Sequence, residues 1–365
     1  MAVSFSRHAF IVLFLLVANT VTLGADAQAS LPTVEADGTI TTAAGKIPFS
    51  SAASKEALKR FKEIVLEDRS SPGVEHPLES RKFYDNINRD RAERMKKLFP
   101  VDIVNRIIDG VPVAIVRPKS LAKDDRRVLI NLHGGAFLWG AGSGGLVEAI
   151  PVASMSKITV ITVDYREGPE NQFPAATDDV EKVYKAALEH HDAESIGIYG
   201  CSAGGGLTAQ VIARLQDDHL PMPGAIGVFC AGVWNGVGDS NVIASLLMGK
   251  EIASSNSKEA PKPHPYFQGP AFEKFAARFG APGALDSVLA KFPATLLISG
   301  TRDSALSETL VTNETLIKAG VPVELHVWEG MWHSFFSDPE LPESKAAYDV
   351  IARFFDHHLK APAKP

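Results

Sequence analysis

The chain has 365 residues, 45% of them apolar and 22% charged, with 29 Gly and 23 Pro; this is ordinary globular composition, long enough for one large core. Its formal net charge of −6 gives no electrostatic footing for nucleic acid, and no block of like charges forms a tail. Two cysteines, Cys201 and Cys230, cannot build a disulfide scaffold, so an apolar core must hold the fold. Both lie in apolar strand-like runs, which predicts buried free thiols, with a single bridge as the alternative.

The first thirty residues stand apart. Arg7 and His8 precede the apolar run AFIVLFLLVA, and the small-residue stretch ADAQAS follows. A basic start, a short apolar core and an A-x-A exit predict a signal peptide over residues 1–29, cleaved after Ala27 or Ala29, and an exported protein. The run is short of the roughly 18–20 residues a spanning helix needs, so no stable membrane anchor is expected after cleavage.

Residues 30–104 are predicted to hold a mobile start and a helical cap. KEALKRFKEIVLE, from Lys55, spaces Leu58, Phe61, Ile64 and Val65 on one helical face, and SRKFYDNINRDRAERMKKLF reads as a second, more polar helix. From about residue 105 to the end the period changes. IIDGVPVAIVRP alternates and ends in Pro118, as an edge strand would. RRVLINLHGG and KITVITVDYR are short apolar runs, expected of strands buried on both faces. TDDVEKVYKAALEHH is helical, ESIGIYGCSAGG is a strand running into a glycine turn, and LTAQVIARLQDD is helical again. GAIGVFCAGVW, ATLLISGTRD and VPVELHVWEG read as further strands, and ESKAAYDVIARFFDHHL as a closing helix. Strands alternating with helices predict an α/β fold with a mostly parallel twisted sheet covered on both faces. Residues of about 234–290 break the rhythm and hold one short helical pattern, AFEKFAARF; so long a connection predicts a cap or lid insertion.

Three motifs carry chemistry. Gly200-Cys201-Ser202-Ala203-Gly204 is a G-x-S-x-G directly after a buried strand and directly before a helix, the setting in which a serine sits on a strained turn above the sheet. The helix N-terminus behind it favours negative charge. His133-Gly134-Gly135-Ala136 ends the VLINL strand, so the N–H groups of Gly134 and Gly135, with that of Ala203, are the expected donors to a tetrahedral oxyanion. A serine hydroxyl needs a base held by a carboxylate. His333 and Asp303 each follow a strand, at the carboxyl edge where the serine turn also lies, and the order Ser, Asp, His suits an acyl-transfer triad. Glu308 and Asp338 are the rival acids. The histidines show no metal-site spacing, so no metal is expected, and His133 is read as a brace of the oxyanion loop.

With these residues placed, the chain resembles the hormone-sensitive-lipase-like carboxylesterases, or bacterial family IV esterases. HGGA is similar to that family's HGGG, DYREGPENQFPAATDDV to its DYR-x-x-PE-x-x-FPA-x-x-DV, and GCSAGG to its GDSAGG; GTRDSALSE and GMWHSFF resemble the regions of its acid and histidine. The resemblance implies an α/β-hydrolase fold with a helical cap, small-molecule ester substrates of short to medium acyl chain, no cofactor, and structural roles for Arg166 and Glu170. It leaves oligomeric state open. The chain departs from the pattern at Ala136, at Cys201 in place of an aspartate, and over 234–290. Acyl transfer or amide cleavage by the same triad is the alternative activity; a non-catalytic receptor on the same fold is the remote one.

Overall fold

In a computed structural model, the described residues are 33–34, 40–41, 47–122, 124–233, 238–248, 263–280 and 284–360. The expected signal peptide and its cleavage site lie outside them. The chain divides into residues 1–48 and 49–365. Of the first unit, the strands β1 (Thr33–Val34) and β2 (Ile40–Thr41) pair antiparallel. The second unit carries the rest.

It opens with two helices, α1 (Lys55–Ser70) and α2 (Pro77–Leu98). Ser54 caps α1 by accepting from the N–H of Ala57 at 3.0 Å, and Pro77 starts α2, where a missing N–H costs nothing. Both helices fall where the sequence pattern puts them. The sheet then begins earlier than expected, at Val101 rather than near 105. The run read as one edge strand is a hairpin: β3 (Val101–Ile108) and β4 (Val111–Pro118) pair antiparallel around Asp109-Gly110, both at positive φ. An Asp-Gly pair between alternating runs is a strong hairpin signal. The edge is therefore β3, and β4 lies one strand in.

The sheet continues with β5 (Val128–Leu132), β6 (Thr159–Val163), β7 (Ile196–Cys201), β8 (Ala225–Phe229), β9 (Ala294–Arg302) and β10 (Val323–Trp332), in the spatial order β10-β9-β8-β7-β5-β6-β4-β3. All pairs from β6 to β10 are parallel; only β3–β4 and β4–β6 are antiparallel. Every residue of β5, β7 and β8 is buried, as their continuous apolar runs require. Two layers of core result, one on each face of the sheet.

Helices α3 (Ser143–Ser156), α4 (Ala175–Leu188), α5 (Ala203–Asp217), α9 (Leu306–Lys318) and α10 (Pro342–His358) cover those faces. The sequence pattern did not single out α3 or α9. Helix α3 is apolar nearly all round and holds Pro151, so it shows no 3.6-residue stripe to read. Within 234–290, the described residues form three helices rather than one: α6 (Asp239–Leu247), α7 (Gly269–Gly280) and α8 (Ala284–Leu289). Among the described residues, no helix is long and apolar enough to cross a membrane.

Candidate active site

Ser202 sits between β7 and α5 at φ 58°, ψ −122°, a strained turn for a residue with a side chain. Its N–H donates to the carbonyl of Phe229 at 2.8 Å, and its carbonyl accepts from the N–H of Gly206 at 3.0 Å, so the turn is held at both ends. Glycine is required on each side. A Cβ at Gly200 would lie 2.2 Å from the carbonyl oxygen of Leu132, and one at Gly204 would lie 1.8 Å from the same atom. This close approach brings the serine turn against the end of β5.

That end carries the second motif. Gly135 has φ 124°, and Ala136 and Phe137 follow at 51° and 59°. The loop is braced from behind by His133, whose ring stacks on Tyr165 at 4.1 Å and whose Nδ1 lies 2.9 Å from the carbonyl of Gly134. Tyr165 in turn donates its hydroxyl proton to the carbonyl of His133 at 2.7 Å. The three expected oxyanion donors are not equivalent. The N–H of Gly134 donates to Oε1 of Glu148 at 3.0 Å and is already spent, whereas those of Gly135 and Ala203 have no partner among the described residues.

Asp303 follows β9 and His333 follows β10. His333 Nδ1 lies 2.7 Å from Oδ1 of Asp303. Asp303 is fully buried, and the N–H of Ala305 and hydroxyl of Ser299 donate to its two oxygens at 2.9 Å each. Burial pushes its carboxyl up, but the His333 ring and these donors outweigh burial and hold it below the usual range. Of the rival acids, Asp338 is engaged elsewhere, with Arg60 Nε at 2.9 Å and Arg91 and Arg94 each at 3.8 Å. Glu308 faces the cleft near the pair, and burial together with the Asp303 charge pushes it up to about 7.

Cys201 and Cys230 are free and buried, as the apolar runs led one to expect. Both thiols meet Ser334: Cys201 Sγ lies 2.8 Å from Ser334 Oγ, and Cys230 Sγ accepts from the N–H of Ser334 at 3.3 Å. At the position that departs from the family pattern, a thiol thus holds the turn after His333. Cys230, Asp303 and His333 converge within 4.8 Å, a spacing compatible with a metal. The hydrogen bond between His333 and Asp303, and the upward push of burial on the Cys230 thiol, give that cluster a non-metal account.

Ser202 and His333 line two cavities that meet at the serine. One, of about 310 Å³, runs under the N-terminal helices past Ile64, Tyr84 and Arg91 to Met248 and Arg302. The other, of about 530 Å³, is walled by Phe137, Phe267, Phe272, Phe275, Leu289 and Phe292. Residues of α1, α2 and α6 thus line the first cavity, and residues of α7 and α8 the second. Arg166 grips Asp179 at 2.8 Å and Glu170 receives Arg81 at 3.0 Å, structural contacts in both cases.

Comparison with known proteins fits this geometry. A family described as alpha/beta hydrolase fold matches residues 129–337, more than half the chain. The chain belongs to that family, and within it to the hormone-sensitive-lipase-like carboxylic ester hydrolases. It is 26% identical over 241 residues to an acetyl-hydrolase of Streptomyces hygroscopicus, spanning 66% of this chain and 77% of that one. It is 29% identical over 290 residues to the esterase LipU of Mycobacterium tuberculosis, spanning 73% and 90%. The crystal structure of an esterase, E25, superposes with a TM-score of 0.70 at 27% identity, covering 88% of this chain and 99% of that one.

Glu148 was not among the residues the motifs pointed to. A signal existed: it is the one ionisable side chain in SGGLVEAIPVASMS, and a lone carboxyl in an apolar helix needs partners.

Proposed function

We propose that the protein is a serine carboxylesterase working through an acyl-enzyme, with Ser202 as nucleophile, His333 as base and Asp303 as the acid that orients it. The observation that carries this reading is the 2.7 Å bond from His333 to a buried Asp303, on a cleft wall shared with a serine at a strained strand-to-helix turn. Asp303 fixes the ring tautomer, leaving Nε2 to take the Ser202 proton and later to return it to the departing alcohol. The ester carbonyl carbon, attacked by Ser202 Oγ, passes to a tetrahedral oxyanion facing the N–H groups of Gly135 and Ala203. Water then attacks the acyl-enzyme by the same route.

Chromogenic acyl esters of graded chain length test it. Ser202→Ala and His333→Ala should fold and lose a factor on the order of 10⁴–10⁶ in turnover, since the two act as a unit. Full activity in Ser202→Ala would sink the reading. Small-molecule esters of short to medium acyl chain are the proposed substrates. The basic, apolar and small-residue order of residues 1–29 supports export; N-terminal sequencing of protein from the medium or periplasm should start near Gln28 or Ser30, and a retained Met1 would overturn it.

A further inference from the structure

Beside the oxyanion loop, on the wall of the smaller cavity, the carboxyl of Glu148 on α3 is almost wholly buried and carries no cationic partner among the described residues. Three donors converge on it. Oε1 accepts from the N–H of Gly134 at 3.0 Å, Oε2 from the side-chain amide of Asn131 at 3.0 Å, and the backbone N–H of Cys201 faces the same carboxyl and helps to pull it down. Asn131 is itself fixed, because its Oδ1 accepts from the hydroxyl of Thr162 at 2.9 Å. The two backbone donors have matching places. Gly134 precedes Gly135, the first oxyanion donor, and Cys201 precedes Ser202 and Ala203, the nucleophile and the second donor. One carboxyl thus clamps together the two chain segments whose spacing sets the oxyanion hole. The fit is close: a Cβ at Gly134 would lie 3.0 Å from the Cys201 carbonyl oxygen and 3.4 Å from Ser202 Cβ.

We propose that Glu148 is a positioning residue for the oxyanion hole, and that its carboxylate form, by accepting from Gly134 and Cys201 together, holds Gly135 and Ala203 at the spacing the tetrahedral intermediate needs. The inference rests on the serine-esterase reading above. A carboxylate is an acceptor on both oxygens and suits three N–H donors. Once protonated, one oxygen becomes a donor turned toward another donor, and one of the two backbone N–H groups loses its partner inside a buried site. The clamp then loosens at the segment that must not move.

The surroundings make this state titratable near neutrality. Burial pushes the Glu148 carboxyl up to about 7, against the pull of its three donors. Among the described residues that face it on the buried side, no other group changes charge there. Tyr199 and Cys201 on β7, and Tyr165 beyond β6, are all pushed up by burial and stay neutral. On the cavity side, Glu67, Asp68 and Arg91 come from α1 and α2, and Arg302 and His333 from the opposite rim.

The test compares wild type with Glu148→Gln, which mimics the neutral acid, across pH 5.5–8.5 on one short-chain ester. Any pH dependence that does not pass through Glu148 is common to both and cancels in the ratio of their kcat values. At pH 8.5 wild type should be faster by about 10–100-fold, with KM changed less than about twofold, because only the intermediate uses the hole. By pH 5.5 the ratio should collapse toward one, as wild type itself becomes neutral at Glu148. A ratio that is constant with pH, or a loss carried by KM, overturns the proposal. Should Glu148→Gln fail to fold, Asn131→Leu serves: it removes one donor and keeps the carboxyl, so the midpoint of the wild-type kcat profile should move to higher pH, and an unmoved midpoint overturns the clamp. Ser202→Ala separates the two claims. An active Ser202→Ala defeats the esterase reading itself, whereas an inactive one beside a Glu148→Gln that equals wild type at every pH defeats only the clamp.

Discussion

Asp303 and Glu308 are two acids five residues apart beside one histidine, and their environments push them in opposite directions. Asp303 is held ionised by His333 and two further donors. Glu308 has no hydrogen-bond partner among the described residues and is pushed up to about 7, first by burial and then by the Asp303 charge. Asp303→Asn should therefore lower kcat by about 10³–10⁴, since the ring loses its tautomer lock, while Glu308→Gln should stay within a few-fold of wild type. Stability should tell the same story. A carboxyl raised in the folded state binds its proton more tightly there than in the unfolded chain. Its stabilising effect is complete below the unfolded value near 4.3 and is lost as pH rises to about 7. Glu308→Gln should accordingly raise Tm more at pH 8 than at pH 4. The reverse order, or a dead Glu308→Gln beside an active Asp303→Asn, would move the acid's role to Glu308. At this scale the sequence was most legible for residues whose neighbours in the chain impose the geometry. Ser202 with its flanking glycines is the clearest case. Gly134 was misread because its partner, Glu148, is fourteen residues on in a helix with no periodic signature.

At the scale of elements, the N-terminal helices are tied to the catalytic unit by buried charge as well as by packing. Asp338, just after His333 and 1% exposed, receives Arg60 from α1 at 2.9 Å and lies 3.8 Å from Arg91 and Arg94 of α2. Glu343 at the start of α10 accepts from both the N–H and the hydroxyl of Ser54, the residue that caps α1. Arg81 of α2 donates to the carbonyls of Leu138 and Gly168, and Tyr84 stacks on Trp139 at 4.9 Å. These helices wall the smaller cavity, so their attachment bears on catalysis. Asp338→Ala leaves three guanidinium groups with Glu63, Glu67, Asp90 and Glu340 as their remaining acidic partners. It should destabilise the fold by on the order of 3 kcal/mol, read as a shift of the denaturant midpoint at unchanged slope. An Asp338→Ala as stable as wild type would mean that the cluster contributes nothing net. The two helices themselves could be read from their patterns, but not their anchorage, since Asp338 and Arg60 are 278 residues apart. The β3–β4 hairpin was blurred for a different reason: its exposed edge strand, with Asp102, Asn105 and Arg106, lacks the apolar run that marks the inner strands.

Over the whole molecule, the decisive feature is that two cavities of unlike character meet at one serine. The two arms of an ester diverge at the carbonyl carbon, so on the proposed esterase reading the acyl chain and the alcohol would part there, one toward each cavity. The larger space, about 530 Å³, has five phenylalanines on largely apolar walls to which α7 and α8 contribute; the smaller, about 310 Å³, has Glu67, Asp68, Arg91 and Arg302 on its walls. An apolar arm entering the larger cavity gains roughly 0.8 kcal/mol for each CH₂ buried, until the wall is reached. Beyond that, each further methylene must displace packed side chains, at about 1–3 kcal/mol. Activity should rise from acetyl to an optimum at or below hexanoyl and then fall, with little action on emulsified triolein. Gly206 allows the wall to be moved. It lies in the first turns of α5, it lines the larger cavity, and a Cβ built on it meets nothing within 4 Å. A side chain there can grow into the cavity without disturbing the serine turn, and replacing a helical glycine adds stability of up to about 1 kcal/mol. Gly206→Leu should thus fold at least as well as wild type and keep its rate on the smallest esters. Its kcat/KM should fall by about tenfold or more on longer substrates, in one series only, acyl or alcohol, and that series names the arm the phenylalanine cavity holds. An unchanged profile in both series would show that neither arm enters the cavity and that the length limit is set elsewhere.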